Sequence, residues 1–296
     1  MSTTLTLNPN LATLAKLAKR GLQILAIGAI GLLAACGKKE APPAAPVAAS
    51  APAPAPAKVY VVGTDAAYAP FESQNEKAEI VGFTVDMLTA VAKAGGFEIK
   101  FVNTPWEGIF NALAQGDRDM LASSITITDE RKQTMDFSQP YFDAAQLIAV
   151  KETSKVAKFA DLKKLKVGVQ TGTTGDEAVT KLLGKTSTNI KRFESTPLAL
   201  KELEAGGVDA VVADNGVVVH YVANNPGGKF KTVSDAEFTP EQYGFAVKKG
   251  NAELLAKIDA GIAKVKADGS YATIYAKYFG AAPAAAPAAP APAASK

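Results

Sequence analysis

Short apolar runs and stretches of helical periodicity take turns along the middle of this 296-residue chain. Val59-Tyr60-Val61-Val62-Gly63 is a β-branched run, and Phe83 to Ala94 then places Val85, Leu88, Val91 and Ala92 on one helix face. Phe97 to Val102 predicts a second strand, Trp106 to Gln115 a helix and Met120 to Ala122 a third strand. The order then restarts. Leu165 to Gln170, Ile190 to Phe193 and Ala210 to Ala213 read as strands, while Thr173 to Leu183 and Pro197 to Ala205 read as helices, the latter capped by Ser195 or Thr196. Strand and helix in alternation predict an α/β fold with helices covering parallel sheets.

The restart leaves an internal echo. Ala112 to Ala122 and Leu203 to Ala213 are each a helix end, a glycine turn and a strand, which supports two lobes of like, Rossmann-type architecture. Two more apolar runs, Gln146 to Val150 and Tyr243 to Val247, fall where the chain would enter and leave the second lobe, so they are the expected hinge strands. Asn251 to Asp268 and Tyr271 to Tyr278 are then helices returning to the first. Expected boundaries are 58–146 and 243–280 for one lobe and 147–242 for the other. In such an arrangement a ligand lies between the lobes, where strand ends and helix N-termini converge.

Composition trims the ends. At 48% hydrophobic and 21% charged the chain can bury a sizeable core. Residues 1–35 are a leader: basic Lys16, Lys19 and Arg20 precede an apolar stretch from Leu22 to Ala35, too short for a comfortable membrane span and typical of a secretory signal. Three of the 32 basic residues lie there and none of the 29 acids does, so 29 of each remain and nothing suggests a nucleic-acid partner. Residues 36–57 and 281–296 are Ala/Pro-rich, a semi-extended spacer and a tail outside the fold. Cys36 is the only cysteine, so no disulfide forms within the chain.

Candidate chemistry concentrates at Ser123 to Lys132, where an apolar strand ends in hydroxyl residues and an arginine follows. Hydroxyls and free N–H groups at a strand end can hold one carboxylate oxygen, and the planar guanidinium of Arg131 can grip both. The plainer alternative is a Thr128 N-cap with Arg131 paired to a nearby acid. Other chemistries find less support. Gly184-Lys185-Thr186 lacks the upstream glycine of a phosphate loop, with Val179 in its place, and reads as a surface turn. His220, the single histidine, has no metal-binding cluster around it in sequence, and Ser123 and Ser124 have no nucleophile elbow. No cofactor is expected.

Taken together, Gly63 to Glu72, Ser123 to Arg131, Gly168 to Thr174 and Asp209 to Asp214 resemble, in order and spacing, the signatures of the family 3 extracellular solute-binding proteins, the polar amino-acid receptors of ABC importers. The resemblance implies a periplasmic binding protein type II fold, two lobes on a two-strand hinge, closing as a monomer on a free L-amino acid. It also implies a permease and its ATPase as partners. Arg131, with Ser123, Ser124 and Thr126 beside it, matches the family's carboxylate site, and Thr173 and Thr174 open a helix whose positive end faces the same carboxylate. Asp214 matches the ammonium ligand, although an N-cap for the following helix is its plainer reading. Leu33-Ala34-Ala35-Cys36-Gly37 resembles the lipobox of bacterial lipoproteins, implying a lipid anchor at Cys36 and a place in the periplasm or cell envelope.

Asp65, Tyr68 and Trp106 match positions lining the side-chain pocket. Facing rings can hold a planar cation by roughly 0.5–2 kcal/mol, and Asp65 can neutralise it. Glutamine receptors of the familiar type carry a lysine at Gln170 and a histidine at Ala213, so the resemblance leans toward arginine, lysine or histidine, with glutamine as the alternative. A third reading is an enzyme like the periplasmic cyclohexadienyl dehydratases, which would need Asp65 or Glu107 as its base. The Arg131 and Asp214 pair favours a receptor.

Overall fold

The computed structural model describes residues 58–280. The leader, Cys36, the Ala/Pro spacer and the Ala/Pro tail lie outside the described residues. The described residues begin with β1 (Val59–Thr64), a small meander of β2 (Ala67–Tyr68), β3 (Glu72–Gln74) and β4 (Ile80–Val81), then α1 (Phe83–Gly95), β5 (Glu98–Asn103), α2 (Trp106–Gln115) and β6 (Met120–Leu121). A single turn, α3 (Arg131–Thr134), leads through β7 (Met135–Phe137) to β8 (Phe142–Ala144). The second lobe holds β9 (Gln146–Lys151), β10 (Val167–Gln170), α4 (Thr174–Leu183), β11 (Ile190–Phe193), α5 (Thr196–Ala205), β12 (Ala210–Asp214), α6 (Asn215–Asn224) and β13 (Phe230–Val233). The chain returns through β14 (Glu241–Tyr243) and β15 (Ala246–Lys248) to α7 (Ala252–Ala267) and α8 (Ser270–Phe279).

Two five-stranded sheets result, ordered β5-β1-β6-β15-β7 and β11-β10-β12-β9-β13. In each, three parallel strands are extended on one side by two more, joined through antiparallel pairings. The echoed strands β6 and β12 occupy the same place in the two sheets. The glycines of the echo explain themselves as well: Gly116 and Gly206 end α2 and α5 in left-handed backbone, φ +89° and +83°, where a side chain would be strained.

Both sheets are covered on both faces. Along β9 and β12, Ile148, Val150, Ala210 and Val212 point into the apolar cluster that receives Val179 of α4, while Leu147, Ala149, Val211 and Ala213 join Ala199, Leu200 and Leu203 of α5. The first lobe packs α1, α7 and an aromatic group including Phe71, Phe83 and Phe142 on one face, and Ile109 and Leu113 of α2 on the other.

The hinge lies a few residues ahead of each apolar run and shares only Tyr243 with them. Gln146–Lys151 is an interior strand of the second sheet, and Ala246–Lys248 belongs to the first. Besides the β2-β3-β4 meander, the strands that pair outside both sheets are β8 and β14, where the chain passes between the lobes, with Phe142 opposite Tyr243 and Ala144 opposite Glu241. A run that is apolar on both faces marks a strand buried from both sides, whereas a hinge strand keeps polar positions such as Asp143, Glu241 and Gln242.

Candidate functional site

A small cavity lies between the lobes. The first lobe contributes Asp65, Tyr68, Trp106, Ser123, Ser124, Thr126 and Arg131 to its wall, and the second contributes Gln170, Thr173, Thr174 and Asp214. All eleven candidates therefore meet in one place, brought there by strand ends and helix starts: Ser123 and Ser124 follow β6, Gln170 ends β10, Thr174 opens α4 and Asp214 ends β12. Glu107 is exposed on α2 and stands outside this wall.

Arg131 is held without an acid. Its guanidinium donates from Nη1 to the Thr126 carbonyl at 3.0 Å and from Nη2 to the Gly172 carbonyl of the second lobe at 3.3 Å. Its charge lies 5.5 Å from the Trp106 ring centre and 5.4 Å from that of Phe110. Thr128 does cap the following turn, accepting from the Arg131 N–H at 3.2 Å, so half of the plainer reading holds. The other half does not: among the described residues no carboxylate forms a salt bridge with Arg131. Burial lowers its pKa, opposed by the charges of Glu177, Asp214 and Glu241.

Facing the same cavity, Thr173 caps α4 by accepting from the Asp176 N–H at 3.2 Å, which leaves the helix start at Thr174 directed at the site. Asp176 is itself clamped by both carboxylate oxygens to Arg192 Nε at 3.0 Å and accepts from the Gly172 N–H at 3.0 Å, so an ion pair between buried Asp176 and exposed Arg192 braces the loop from behind. Ser124 takes a left-handed backbone, φ +48°, and turns its hydroxyl down to Glu72 at 3.1 Å.

Asp214 stands at the N-cap of α6 but its side chain caps nothing. Instead it accepts from Tyr68 Oη at 2.8 Å, from Tyr243 Oη and from Gln146 Nε2. Burial pushes its pKa up to about 6, the Glu241 charge adds to the rise, and the three donors oppose it. Asp65 has its pKa raised by burial, against hydrogen bonds from Gln170 and the Trp106 backbone. Gln170 reaches it at 3.4 Å and is anchored by the Glu194 carbonyl and the Thr196 hydroxyl, each at 3.0 Å.

Tyr68 to Asp214, Arg131 to Gly172, Gln170 to Asp65 and Trp106 Nε1 to the Thr171 carbonyl at 3.1 Å all run from one lobe to the other. The expected pair of facing rings is thus more constrained than the sequence suggested. Trp106 lies against Arg131 and Tyr68 stacks on Phe71, with ring centres 6.3 Å apart. Both polar tips are spent on bonds across the cleft.

Residues 60–281 match the bacterial extracellular solute-binding proteins, family 3. The chain belongs to this family. Among curated proteins it is 50% identical over 232 residues, 78% of this chain and 87% of the other, to a Neisseria gonorrhoeae protein named "Probable histidine-binding protein". It is 34% identical over 224 residues, 74% of this chain and 86% of the other, to the L-arginine-binding protein of Pseudomonas aeruginosa. Among solved structures, the arginine-, lysine-, histidine-binding protein ArtJ of Geobacillus stearothermophilus superposes with a TM-score of 0.74 at 49% identity, covering 76% of this chain and 97% of ArtJ.

For this family 3 chain the structure also adds residues that sequence reasoning missed. Gln146 and Tyr243 hold Asp214, Phe110 backs Arg131, and Glu241 accepts from Thr126, Thr174 and Gln146. The available signal was faint: Gln146 and Tyr243 are the polar first residues of runs that otherwise read as apolar.

Proposed function

We propose that this chain is the receptor of an ABC importer for basic L-amino acids, arginine, lysine or histidine, closing on the zwitterion and delivering it to a permease and its ATPase. The observation that carries the reading is that Arg131 and Asp214 face one cavity from opposite lobes, and neither forms a salt bridge among the described residues. An α-amino acid supplies the missing anion and the missing cation together, so binding and closure are one linked equilibrium. Three or four charge-assisted bonds of roughly 1.5–3 kcal/mol each, less the ordering cost, give an affinity in the micromolar range.

The choice of a basic side chain rests on charge. Asp65 is half-buried at the pocket beside an amide, Gln170, where a glutamine receptor of the familiar type has a lysine. A guanidinium, ammonium or imidazolium would complete it, with Trp106 and Tyr68 beside it. The names of the three relatives given above agree with this class. The same eleven residues serve binding, not catalysis; Glu107, the second base considered for a dehydratase, lies outside the cavity wall. We read Cys36 as the lipidated N-terminus of the mature, monomeric protein, held at a membrane by its anchor through the Ala/Pro spacer.

Calorimetric titration of the purified chain, unfolded and refolded to strip carried-over ligand, tests the reading. The panel is arginine, lysine, histidine, glutamine, glutamate and cystine. Micromolar or tighter binding of a basic member with weak glutamine is the expected result; glutamine preference would replace the side-chain assignment, and binding of none would reject the receptor.

A further inference from the structure

Glu241 sits on the hinge itself, in β14, opposite Ala144 of β8. Its Oε2 accepts from Thr126 of the first lobe at 2.7 Å and from Thr174 of the second at 2.9 Å. Its Oε1 accepts from Gln146 Nε2 at 3.0 Å, and the same amide nitrogen donates to Asp214. Gln146 is only 4% exposed, and its own oxygen has no partner. Turning the amide over would aim that oxygen at two carboxylates, so the two acids dictate its orientation even though a buried acceptor is left unpaired.

Each group held by Glu241 belongs to a different part of the binding site. Thr126 carries the carbonyl that receives Arg131, Thr174 begins the helix aimed at a carboxylate, and Gln146 also donates to Asp214, which awaits an ammonium. We propose that Glu241 is a positioning residue that couples cleft closure to ligand binding, tying both charged poles of the site to the hinge through Thr126, Thr174 and Gln146. This rests on the amino-acid receptor reading above. Three donors from both lobes converge on one carboxylate, and they can do so only when the lobes are together. An amide in its place would set an N–H₂ group against one of those donors. The charged and titratable groups around it are Asp214, Arg131, Glu177 and Tyr68, with Lys132, Lys181 and Glu237 lining the same space on its outer side. Among these Asp214 is the one that gains most from losing an acidic neighbour.

The chain carries its own reporter. Trp106 is the only tryptophan, and its indole N–H bonds across the cleft to Thr171. The full chain, Glu241→Gln and Glu241→Ala are titrated with arginine between pH 5 and 8 by calorimetry, with Trp106 fluorescence followed in parallel. Both variants are expected to bind at least tenfold more weakly, and the pH at which binding fails on the acid side should move down, because Asp214 ionises more easily without Glu241. A merely structural role would lower the melting temperature and leave that pH where it was, which overturns the proposal, as does affinity within twofold of the parent. If the parent chain binds no basic amino acid, the receptor reading fails separately. The coupling is then decided on ligand-free Trp106 emission: a red shift in Glu241→Ala supports it and an unchanged spectrum rejects it.

Discussion

The two charged poles of the site are built in opposite ways. Arg131 rests on carbonyl oxygens and aromatic faces, with its charge unopposed by any paired acid among the described residues. Asp214 is surrounded by donors, two phenols and an amide, and shares the amide with a second carboxylate. A guanidinium stays charged in nearly any setting, so soft contacts suffice to aim it. A carboxylate can escape burial by taking up a proton, so it needs donors to remain an anion. Arg131 is thus a fixed charge awaiting a partner, and Asp214 a conditional one.

Removing the fixed charge has the largest expected effect. Arg131→Ala should weaken arginine binding by a hundredfold or more, about 2.8 kcal/mol. Arg131→Lys should recover only part of this, since a point charge replaces a fork. Agmatine, which lacks the α-carboxylate, makes the comparison sharp: its weaker binding should be nearly indifferent to Arg131→Ala, and an equal loss for both ligands would separate Arg131 from the carboxylate.

Asp214→Asn should cost less, on the order of tenfold or about 1.4 kcal/mol, because its one remaining oxygen still accepts from both Tyr68 and Tyr243, although its N–H₂ is then set against Gln146 Nε2. An arginine analogue without the α-amine should feel little of that loss. If Asp214→Asn instead matches Arg131→Ala with arginine, the two poles are equally rigid and the contrast between them fails.

The conditional charge also predicts a pH dependence. Asp214 has a pKa raised to about 6, and an ammonium selects its ionised form, so binding expels the proton. Affinity should therefore hold above that value and fall as pH drops through it, by about tenfold at pH 5. In Asp214→Asn this fall should vanish. A profile that is flat from pH 5 to 8 in the parent chain would show that the carboxylate stays ionised without help.

The same contrast explains what could be read from the sequence. Arg131, Thr174 and Asp214 stand at strand ends and helix starts in stretches with a recurring local pattern, and the echo around Gly116 and Gly206 exposed the paired sheets. The groups that hold them in place were hidden. Glu241 lies 115 residues from Thr126 and 67 from Thr174, in a short strand with no periodicity of its own. Gln146 and Tyr243 looked like the edges of apolar runs, and those runs misplaced the hinge because hydrophobicity reports burial and not connection. Local pattern disclosed the groups that meet the ligand, while their supports come from chain segments that only the folded topology brings near.

The smallest expected effect on binding concerns Glu72, a third acid, buried completely beneath the cavity. Its Oε2 accepts from Ser124 at 3.1 Å and its Oε1 has no partner. Unlike Asp214 it has few donors, and burial drives its pKa well above the ordinary carboxylate value of 4.5. The folded chain then keeps a proton that the unfolded chain releases, so this group's contribution to stability falls as pH rises from about 4.5 toward the raised value, by about 1.4 kcal/mol per unit. Glu72→Gln preserves an acceptor for Ser124 and removes the titration. Arginine affinity should stay within about threefold, or roughly 0.7 kcal/mol, while urea denaturation at pH 5 and pH 8 should show the variant losing less stability across that span than the parent. Parallel losses in the two chains would mean that Glu72 is ionised in its buried site, and the pocket would then rest on a full negative charge where a neutral acid is expected.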